Sequence, residues 1–262
     1  VLGTTACGKS GLGVELAKRF DGEVISADSR QVYKGLDLGT GKVTEAEMEG
    51  IPHHMLDVVE PGQPYSVADF QPAAYAAIDD VLARGKTPIL VGGTGLYVRA
   101  VTEGFQFSDS KPDPALRETL EGKSNAELYA ILREKTGVTL TGGEENNRHR
   151  LMRSVEKALS GGWEAPRACP RYDCLLLGVN FPRETVCARI DQRLQARIDA
   201  GMLDEVAGLR AAGVSDAFLD RLGLEYRYIL WYLTGKIPTL EGLKDELGRA
   251  IKRFAKRQVV WF

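Results

Sequence analysis

Short apolar runs alternate with helix-forming segments along the first hundred residues. The runs at Val1-Leu2, Val24-Ile25 and 88–91 are uninterrupted, which is typical of strands buried on both faces of a parallel sheet. Between them, apolar residues recur at helical spacing over 11–20 and 68–84. This regular alternation of strand and helix predicts a doubly wound parallel α/β sheet.

The pattern changes between residues 105 and 172, where the segments have helical periodicity only. The predicted helices cover 114–121, 125–135 and 145–159. In the last of them, Leu151, Val155 and Leu159 form an apolar stripe that is expected to face a core. We therefore predict a small helical insertion over 105–172, joined to the preceding sheet by a linker at 109–114.

The strand pattern returns within 171–180 and is followed by helices to the end of the chain. These helices are predicted at 183–200, 203–211, 226–233 and 240–261. Residues 1–104 and 173–262 together are then expected to form one α/β core. Because the opening strand is shorter than the usual five residues and the chain ends on apolar Trp261-Phe262, we expect residues to be missing at both ends.

Composition and charge narrow the functional classes. The 262 residues are 44% hydrophobic and 27% charged, and no apolar run is long enough to cross a bilayer. A net charge of −2 means that any nucleic-acid surface must be a local basic patch. The four cysteines follow no metal-binding spacing, so we expect reduced thiols and a cytoplasmic protein. Adjacent His53 and His54 would face opposite ways in an extended strand, which favours a structural role.

Residues 3–10 spell G-x-x-x-x-G-K-S between the first strand and the first helix. This is the pattern of a phosphate-binding loop, and it predicts a P-loop NTPase-like sheet. Gly3 and Gly8 allow the backbone N–H groups to turn inward on an anion, and the following helix points its positive end at the same place. Lys9 would neutralise phosphate charge, and the Ser10 hydroxyl suits a Mg²⁺ ion bridging the phosphates. The predicted diphosphate-binding residues are Gly3, Thr4, Thr5, Ala6, Cys7, Gly8, Lys9 and Ser10.

Asp28 follows the second strand directly, at the edge of the sheet where α/β proteins bind their ligands. It is therefore expected to face the phosphate-binding loop. A carboxylate at this position has two interpretations that spacing alone leaves open. It could take part in proton transfer, or it could cap the turn formed by the residues after it.

A set of motifs in order along the chain resembles the tRNA dimethylallyltransferases, also called tRNA isopentenyltransferases. After the phosphate-binding loop come Ser26-Ala-Asp-Ser-Arg-Gln-Val-Tyr33, Asp37-Leu-Gly-Thr40, Pro52-His-His54, Tyr65-Ser-x-x-Asp-Phe70, Gly92-Gly-Thr-Gly-Leu-Tyr97 and Ala255-Lys-Arg-Gln-x-x-Trp-Phe262. The resemblance covers nearly the whole chain. Thr4 replaces the usual proline of the family, and Leu222-Gly-Leu-Glu-Tyr-Arg227 matches its Gly-Tyr-Arg turn only loosely.

The resemblance implies transfer of a dimethylallyl group from dimethylallyl diphosphate to N6 of the adenosine adjacent 3′ to the tRNA anticodon. It implies a monomer with Mg²⁺ as cofactor, and Asp28, Thr5 and Lys9 as catalytic residues. Asp28 would take the N6 proton, Thr5 and Thr94 would hold the diphosphate or the flipped base, and the Gln31 amide would bind an adenine edge. The implied tRNA-binding residues are Asp28, Ser29, Arg30, Gln31, Thr94, His149, Arg150, Leu151, Met152 and Arg153.

Three alternatives remain open at this point. A small-molecule P-loop kinase shares the loop but leaves the basic residues of 240–261 unexplained, and an RNA-binding module leaves an intact Lys9 and Ser10 unexplained. An isopentenyltransferase that acts on free adenine nucleotides is the nearest alternative. Arg150 and Arg153 are likewise either a solvated basic face or contacts to RNA phosphates.

Overall fold

The computed structural model describes residues 1–107, 113–140, 144–164 and 167–260. The chain divides into two compact units, one formed by Val1–Gly104 with Pro170–Phe262 and the other by Phe105–Cys169. These boundaries lie within three residues of the predicted ones. Most of the predicted linker at 109–114, and the end of the last predicted helix at Trp261, lie outside the described residues.

Within the described part of the larger unit, five short parallel strands form the sheet. They are β1 (Leu2–Gly3), β2 (Gly22–Ser26), β3 (His53–His54), β4 (Thr87–Val91) and β5 (Gly178–Val179). Strand β2 pairs with β3 and β4, strand β1 pairs with β5, and a parallel bridge between Leu2 and Gly92 joins the two groups. The order is therefore β3-β2-β4-β1-β5, which confirms the predicted doubly wound sheet.

Helices pack against both faces of this sheet. In the larger unit they are α1 (Lys9–Arg19), α2 (Glu45–Met48), α3 (Val67–Ala83), α4 (Gly95–Arg99) with a π-helical turn (Ala100–Gly104), and, numbered in chain order, α8 (Arg183–Asp199), α9 (Met202–Ala211), α10 (Asp216–Leu222), α11 (Leu224–Leu233) and α12 (Leu240–Val259). Adjacent residues of β2 face opposite sides, because Val24 packs with Ala17 of α1 whereas Ile25 packs with Phe70 of α3. In α1, Val14 and Ala17 are buried, whereas Leu12 is 37% exposed.

The smaller unit contains α5 (Pro114–Glu121), α6 (Asn125–Thr136), a 3₁₀ turn (Glu144–Asn146) and α7 (Arg148–Leu159). Helix α7 begins three residues later than predicted, because the Asn147 side chain accepts the Arg150 N–H at 3.2 Å and caps the helix there. Leu151 and Val155 are buried in the core of this unit, whereas Leu159 is 39% exposed, so the last position of the predicted stripe was wrong.

Two buried carboxylates have basic partners in different parts of the molecule. In the smaller unit, Glu156 accepts from Arg117 at 2.5 and 3.0 Å and from Arg153 at 3.3 Å. In the larger unit, Glu23 of β2 lies 2.7 Å from His54 Nε2 and 2.7 Å from Arg84 Nη2. The Arg84 guanidinium holds the pKa of Glu23 below its usual range. The Glu23 contact supports the structural role predicted for His54.

Among the described residues, no helix is long and apolar enough to cross a membrane. The same part of the chain contains no cluster of three or more histidine, cysteine or acidic side chains that could hold a metal ion.

Candidate active site

The phosphate-binding loop connects β1 to α1 and has the backbone shape that its glycines allow. Gly8 caps α1 with φ of 85°, in the left-handed region that favours glycine. At Gly3, a β-carbon would lie 2.5 Å from the Val179 carbonyl oxygen of β5, so a side chain does not fit. Helix α1 begins at Lys9, and its first N–H groups therefore point toward the hollow of the loop, where an anion would bind.

Lys9 folds back over the loop. Its Nζ donates to the Thr4 carbonyl at 2.5 Å and lies 3.8 Å from the Cys7 sulfur. Burial lowers the pKa of the Lys9 ammonium, and the nearby Cys7 and Asp28 oppose that shift. A partly buried ammonium in this environment gains stability when a further negative charge binds beside it.

A cavity of about 980 Å³ opens beside the phosphate-binding loop, entirely within the larger unit. The loop contributes Thr5, Ala6 and 8–11, the end of β2 contributes 28–31, and the end of β4 contributes 91–96. All of these segments follow the carboxyl ends of parallel strands, as expected for ligand binding in an α/β sheet. The loop and Asp28, which are 18 residues or more apart in sequence, therefore line one cavity.

The two carboxylate oxygens of Asp28 have different surroundings. Its Oδ1 accepts from the Arg30 N–H at 2.8 Å and from the Gln31 N–H at a weak 3.4 Å, which is a capped turn. Its Oδ2 has no hydrogen-bond partner among the described residues. One oxygen thus holds the turn, and the other is available to a ligand in the cavity.

The polar residues around Asp28 already have internal partners. Thr94 Oγ1 accepts from the Ser29 N–H at 3.1 Å, and so joins the ends of β2 and β4. The Gln31 amide donates to the Gly41 carbonyl at 3.2 Å, and its oxygen lies 3.2 Å from Ser26 Oγ. Both side chains line the cavity, and these hydrogen bonds fix the positions of the segments that form its wall.

A row of arginines on α8 was missed by our sequence analysis. Arg189, Arg193 and Arg197 are spaced four residues apart on α8 and line the cavity, beside the stripe that contains buried Ile190 and Leu194. The i, i+4, i+8 spacing was visible in the sequence and could have identified them. The other arginines that line the cavity are Arg30, Arg221, Arg227 and Arg257.

The charge of the cavity wall is strongly positive. Among the described residues, seven arginines and Lys9 line it against three carboxylates, Asp28, Glu47 and Glu225. The chain as a whole carries a net charge of −2. The positive charge is therefore concentrated at this site, where it favours a polyanionic ligand.

Close packing brings two of these arginines together. A β-carbon on Gly41 would overlap Arg197 Nη2 and would lie 3.0 Å from Arg193 Nη2, so both guanidinium groups lie against this glycine. Arg197 Nη1 is 3.6 Å from Glu225 Oε1. Burial raises the pKa of Glu225, and Arg197 opposes that shift.

Gln258 of α12 connects three parts of the site and was also missed. Its side-chain oxygen accepts from the Thr5 N–H at 2.7 Å, and its nitrogen donates to the Gly93 carbonyl at 2.8 Å. The amide is buried, and it fixes the phosphate-binding loop relative to the turn after β4. The glutamine belongs to the motif at 255–262, but spacing alone does not reveal what it contacts.

The five residues of the smaller unit that the resemblance suggested for tRNA binding differ in exposure. His149 and Arg150 are exposed. Arg153 is half-buried and pairs with Glu156, and Met152 packs against the core. Leu151 is 1% exposed within that core, so its side chain offers almost no surface to an RNA, and its contact with tRNA stays a prediction.

Comparison with known proteins identifies a family model and several relatives that match most or all of this chain. A family model described as IPP transferase matches residues 31–262. A tRNA dimethylallyltransferase of Oceanobacillus iheyensis is 41% identical over all of this chain and 86% of its own length. One of Exiguobacterium sibiricum is 44% identical over all of this chain and 85% of its own length.

Two solved structures are similar to the whole chain. The full-length tRNA isopentenylpyrophosphate transferase from Bacillus halodurans is 36% identical, with a TM-score of 0.75, over 100% of this chain and 84% of its own. A eukaryotic dimethylallyltransferase acting on tRNA is 28% identical, with a TM-score of 0.80, over 99% of this chain and 68% of its own. From the match over 31–262 and from relatives above 40% identity, we conclude that the chain belongs to the IPP transferase family, the family of the tRNA dimethylallyltransferases.

Proposed function

We propose that this chain transfers the dimethylallyl group of dimethylallyl diphosphate to N6 of the adenosine adjacent 3′ to the anticodon in tRNA, and releases diphosphate. The names of its relatives support this reaction. The observation that carries the proposal is that a phosphate-binding loop and a carboxylate oxygen without a partner line the same cavity.

The loop suits a diphosphate leaving group. As the allylic C–O bond breaks, negative charge grows on the bridging and outer oxygens of the diphosphate. The N–H groups at the start of α1 and the Lys9 ammonium would neutralise that charge, together with Arg193 and Arg197 on the opposite wall. Because these groups are fixed before the reaction, little reorganisation is needed as the charge develops.

The donor set fits Mg²⁺ held largely by the substrate. Ser10 lines the cavity at the start of α1, and its hydroxyl has no hydrogen-bond partner among the described residues. The absence of an acidic cluster in the described chain is consistent with an ion bound through phosphate oxygens and one hydroxyl. Such an ion would add charge neutralisation on the leaving group.

Asp28 would act as the base. The nitrogen lone pair of N6 forms a bond to the allylic carbon while the bond from that carbon to the diphosphate oxygen breaks. The amine then carries an extra proton, which Asp28 Oδ2 is free to accept. The products are N6-dimethylallyl adenosine, diphosphate and a protonated Asp28, which returns its proton to solvent.

The adenosine must leave the anticodon-loop stack to reach this carboxylate. A cavity of about 980 Å³ is large enough for one base together with an allylic diphosphate. Gln31 has one amide hydrogen beyond the one given to Gly41, which could meet an acceptor on the adenine edge.

Exposed basic residues would bind the tRNA backbone. In the smaller unit, Arg150 is the better candidate, because Arg153 already neutralises the buried Glu156. On α12, Arg249, Arg253, Lys256 and Arg257 are exposed, whereas Lys252 pairs with Asp191 at 2.7 Å. These contacts would supply affinity without sequence information.

The protein is proposed to act as a monomer in the cytoplasm, consistent with its four free cysteines.

The acceptor separates this proposal from its alternatives. Labelled dimethylallyl diphosphate is incubated with the protein and either tRNA or AMP, and a parallel reaction contains γ-labelled ATP in place of the allyl donor. Label in tRNA alone supports the proposal. Label in AMP supports the free-nucleotide enzyme, and phosphoryl transfer from ATP supports a kinase.

A further inference from the structure

The segment at 37–39 is held by a carboxylate from a distant helix. It lies in the glycine-rich stretch 35–42, whose sequence predicts a mobile loop. Three successive N–H groups of 37–39 instead point at Glu205 of α9. Asp37 and Leu38 donate to Glu205 Oε2 at 2.9 and 2.6 Å, and Gly39 donates to Oε1 at 3.0 Å. Consecutive N–H groups that converge in this way form an anion-binding concavity, which Glu205 fills.

A fourth donor completes this arrangement. The hydroxyl of buried Tyr226 donates to Glu205 Oε1 at 2.9 Å, and burial together with the Glu205 charge raises the pKa of that tyrosine. Each carboxylate oxygen thus accepts two hydrogen bonds. A carboxylate can accept at both positions, whereas the amide of glutamine would place an NH₂ donor at one of them. Gly39 packs so closely that a β-carbon there would lie 2.6 Å from the Tyr226 ring.

The held segment leads directly into the cavity wall. Gly39, Thr40 and Gly41 all line the cavity. The Gly41 carbonyl accepts from the Gln31 amide, and the Gln31 N–H faces Asp28 Oδ1. A continuous series of contacts therefore runs from Glu205 to the wall beside the proposed base.

We propose that Glu205 is a positioning residue for the acceptor side of the reaction: it fixes 37–41 and thereby Gln31, without touching either substrate itself. The inference rests on the proposed function, since it assigns Glu205 to the adenosine side of that transfer. Glu205 does not line the cavity, whereas the segment it holds does.

Glu205→Gln tests this role because it preserves size but places an NH₂ group opposite two donors. We expect turnover of tRNA to fall about ten- to a hundredfold, the cost of a displacement of about 1 Å in the wall. Binding of inorganic diphosphate, measured by calorimetry, should fall much less than turnover. The phosphate-binding loop makes no contact with Glu205, and only Arg193 and Arg197 are linked to it, through Gly41. Amide hydrogen exchange at 37–39 should accelerate.

A second variant keeps the test informative if Glu205→Gln does not fold. Tyr226→Phe removes one of the four hydrogen bonds, and we expect a smaller loss of turnover in the same direction. If folded Glu205→Gln transfers the dimethylallyl group at the wild-type rate, or loses diphosphate binding and tRNA turnover equally, the positioning role is refuted. If the wild-type protein modifies no tRNA, the proposed function itself is refuted.

Discussion

Asp28→Asn separates the turn-capping role that the structure shows for this carboxylate from the role as base that we propose for it. Asparagine keeps an oxygen at the Oδ1 position, so the hydrogen bond from the Arg30 N–H at 2.8 Å can persist. It cannot accept the N6 proton at the second position. The change therefore removes proton acceptance and leaves most of the turn intact.

The expected magnitudes differ enough to be measured on one sample. Loss of a general base should lower kcat by about two to four orders of magnitude, which corresponds to about 3–5 kcal/mol in the barrier. The free energy of unfolding should change by less than about 1 kcal/mol, because asparagine caps a turn nearly as well as aspartate. Affinity for dimethylallyl diphosphate should not change.

The assay combines single-turnover transfer to tRNA with thermal melting. Asp245→Asn, an exposed change of the same type on α12, is the matched control and should leave both quantities unchanged. An Asp28→Asn protein with a normal single-turnover rate, whatever its melting temperature, would show that Asp28 only caps its turn, and would refute the assignment of the base.

Four further substitutions test other parts of the site and fold. Lys9→Ala should abolish turnover and weaken binding of inorganic diphosphate in calorimetry, and retained turnover would contradict the assignment of the loop. Arg150→Ala should reduce the slope of log affinity for tRNA against log salt concentration by an amount that corresponds to about one phosphate contact. Arg153→Ala should mainly lower the melting temperature, because it leaves the buried Glu156 carboxylate with less positive charge beside it. An unchanged salt dependence in Arg150→Ala would show that Arg150 does not contact a tRNA phosphate. An unchanged melting temperature in Arg153→Ala would show that Arg153 does not stabilise the buried Glu156. Glu23→Gln should cost about 1–3 kcal/mol at pH 7, and because the folded pKa is depressed, the difference from wild type should shrink as the pH falls below 4.5; a difference constant with pH would contradict the ion-pair account.

Local sequence patterns predicted the fold because its elements are locally encoded. The loop at 3–10, the apolar runs of β2 and β4 and the spacing in α3 each carry their own signal. Ser66 illustrates this, since its N–H donates to Asp69 Oδ2 at 2.8 Å, and this contact at the start of α3 spans only three positions. The short α2 and α10 were not predicted, because four and seven residues are too few for a periodic signal.

The walls of the site depend on contacts between distant residues, which no local pattern contains. Gln258 meets Thr5 across 253 positions, and Glu205 meets Leu38 across 167. The mobility predicted for 35–42 was based on glycine content, whereas the structure gives those glycines a packing reason. Gly39 and Gly41 are small because Tyr226 and Arg197 lie against them.

The most direct test of the proposed reaction is to map where the label goes. Unmodified tRNA is incubated with the protein and labelled dimethylallyl diphosphate, then digested and analysed by mass spectrometry of its fragments. We predict one N6-dimethylallyl adenosine per tRNA, in the fragment that contains the anticodon and on its 3′ side. Label on a different nucleotide, or none in tRNA under conditions where AMP is modified, would contradict the proposed function.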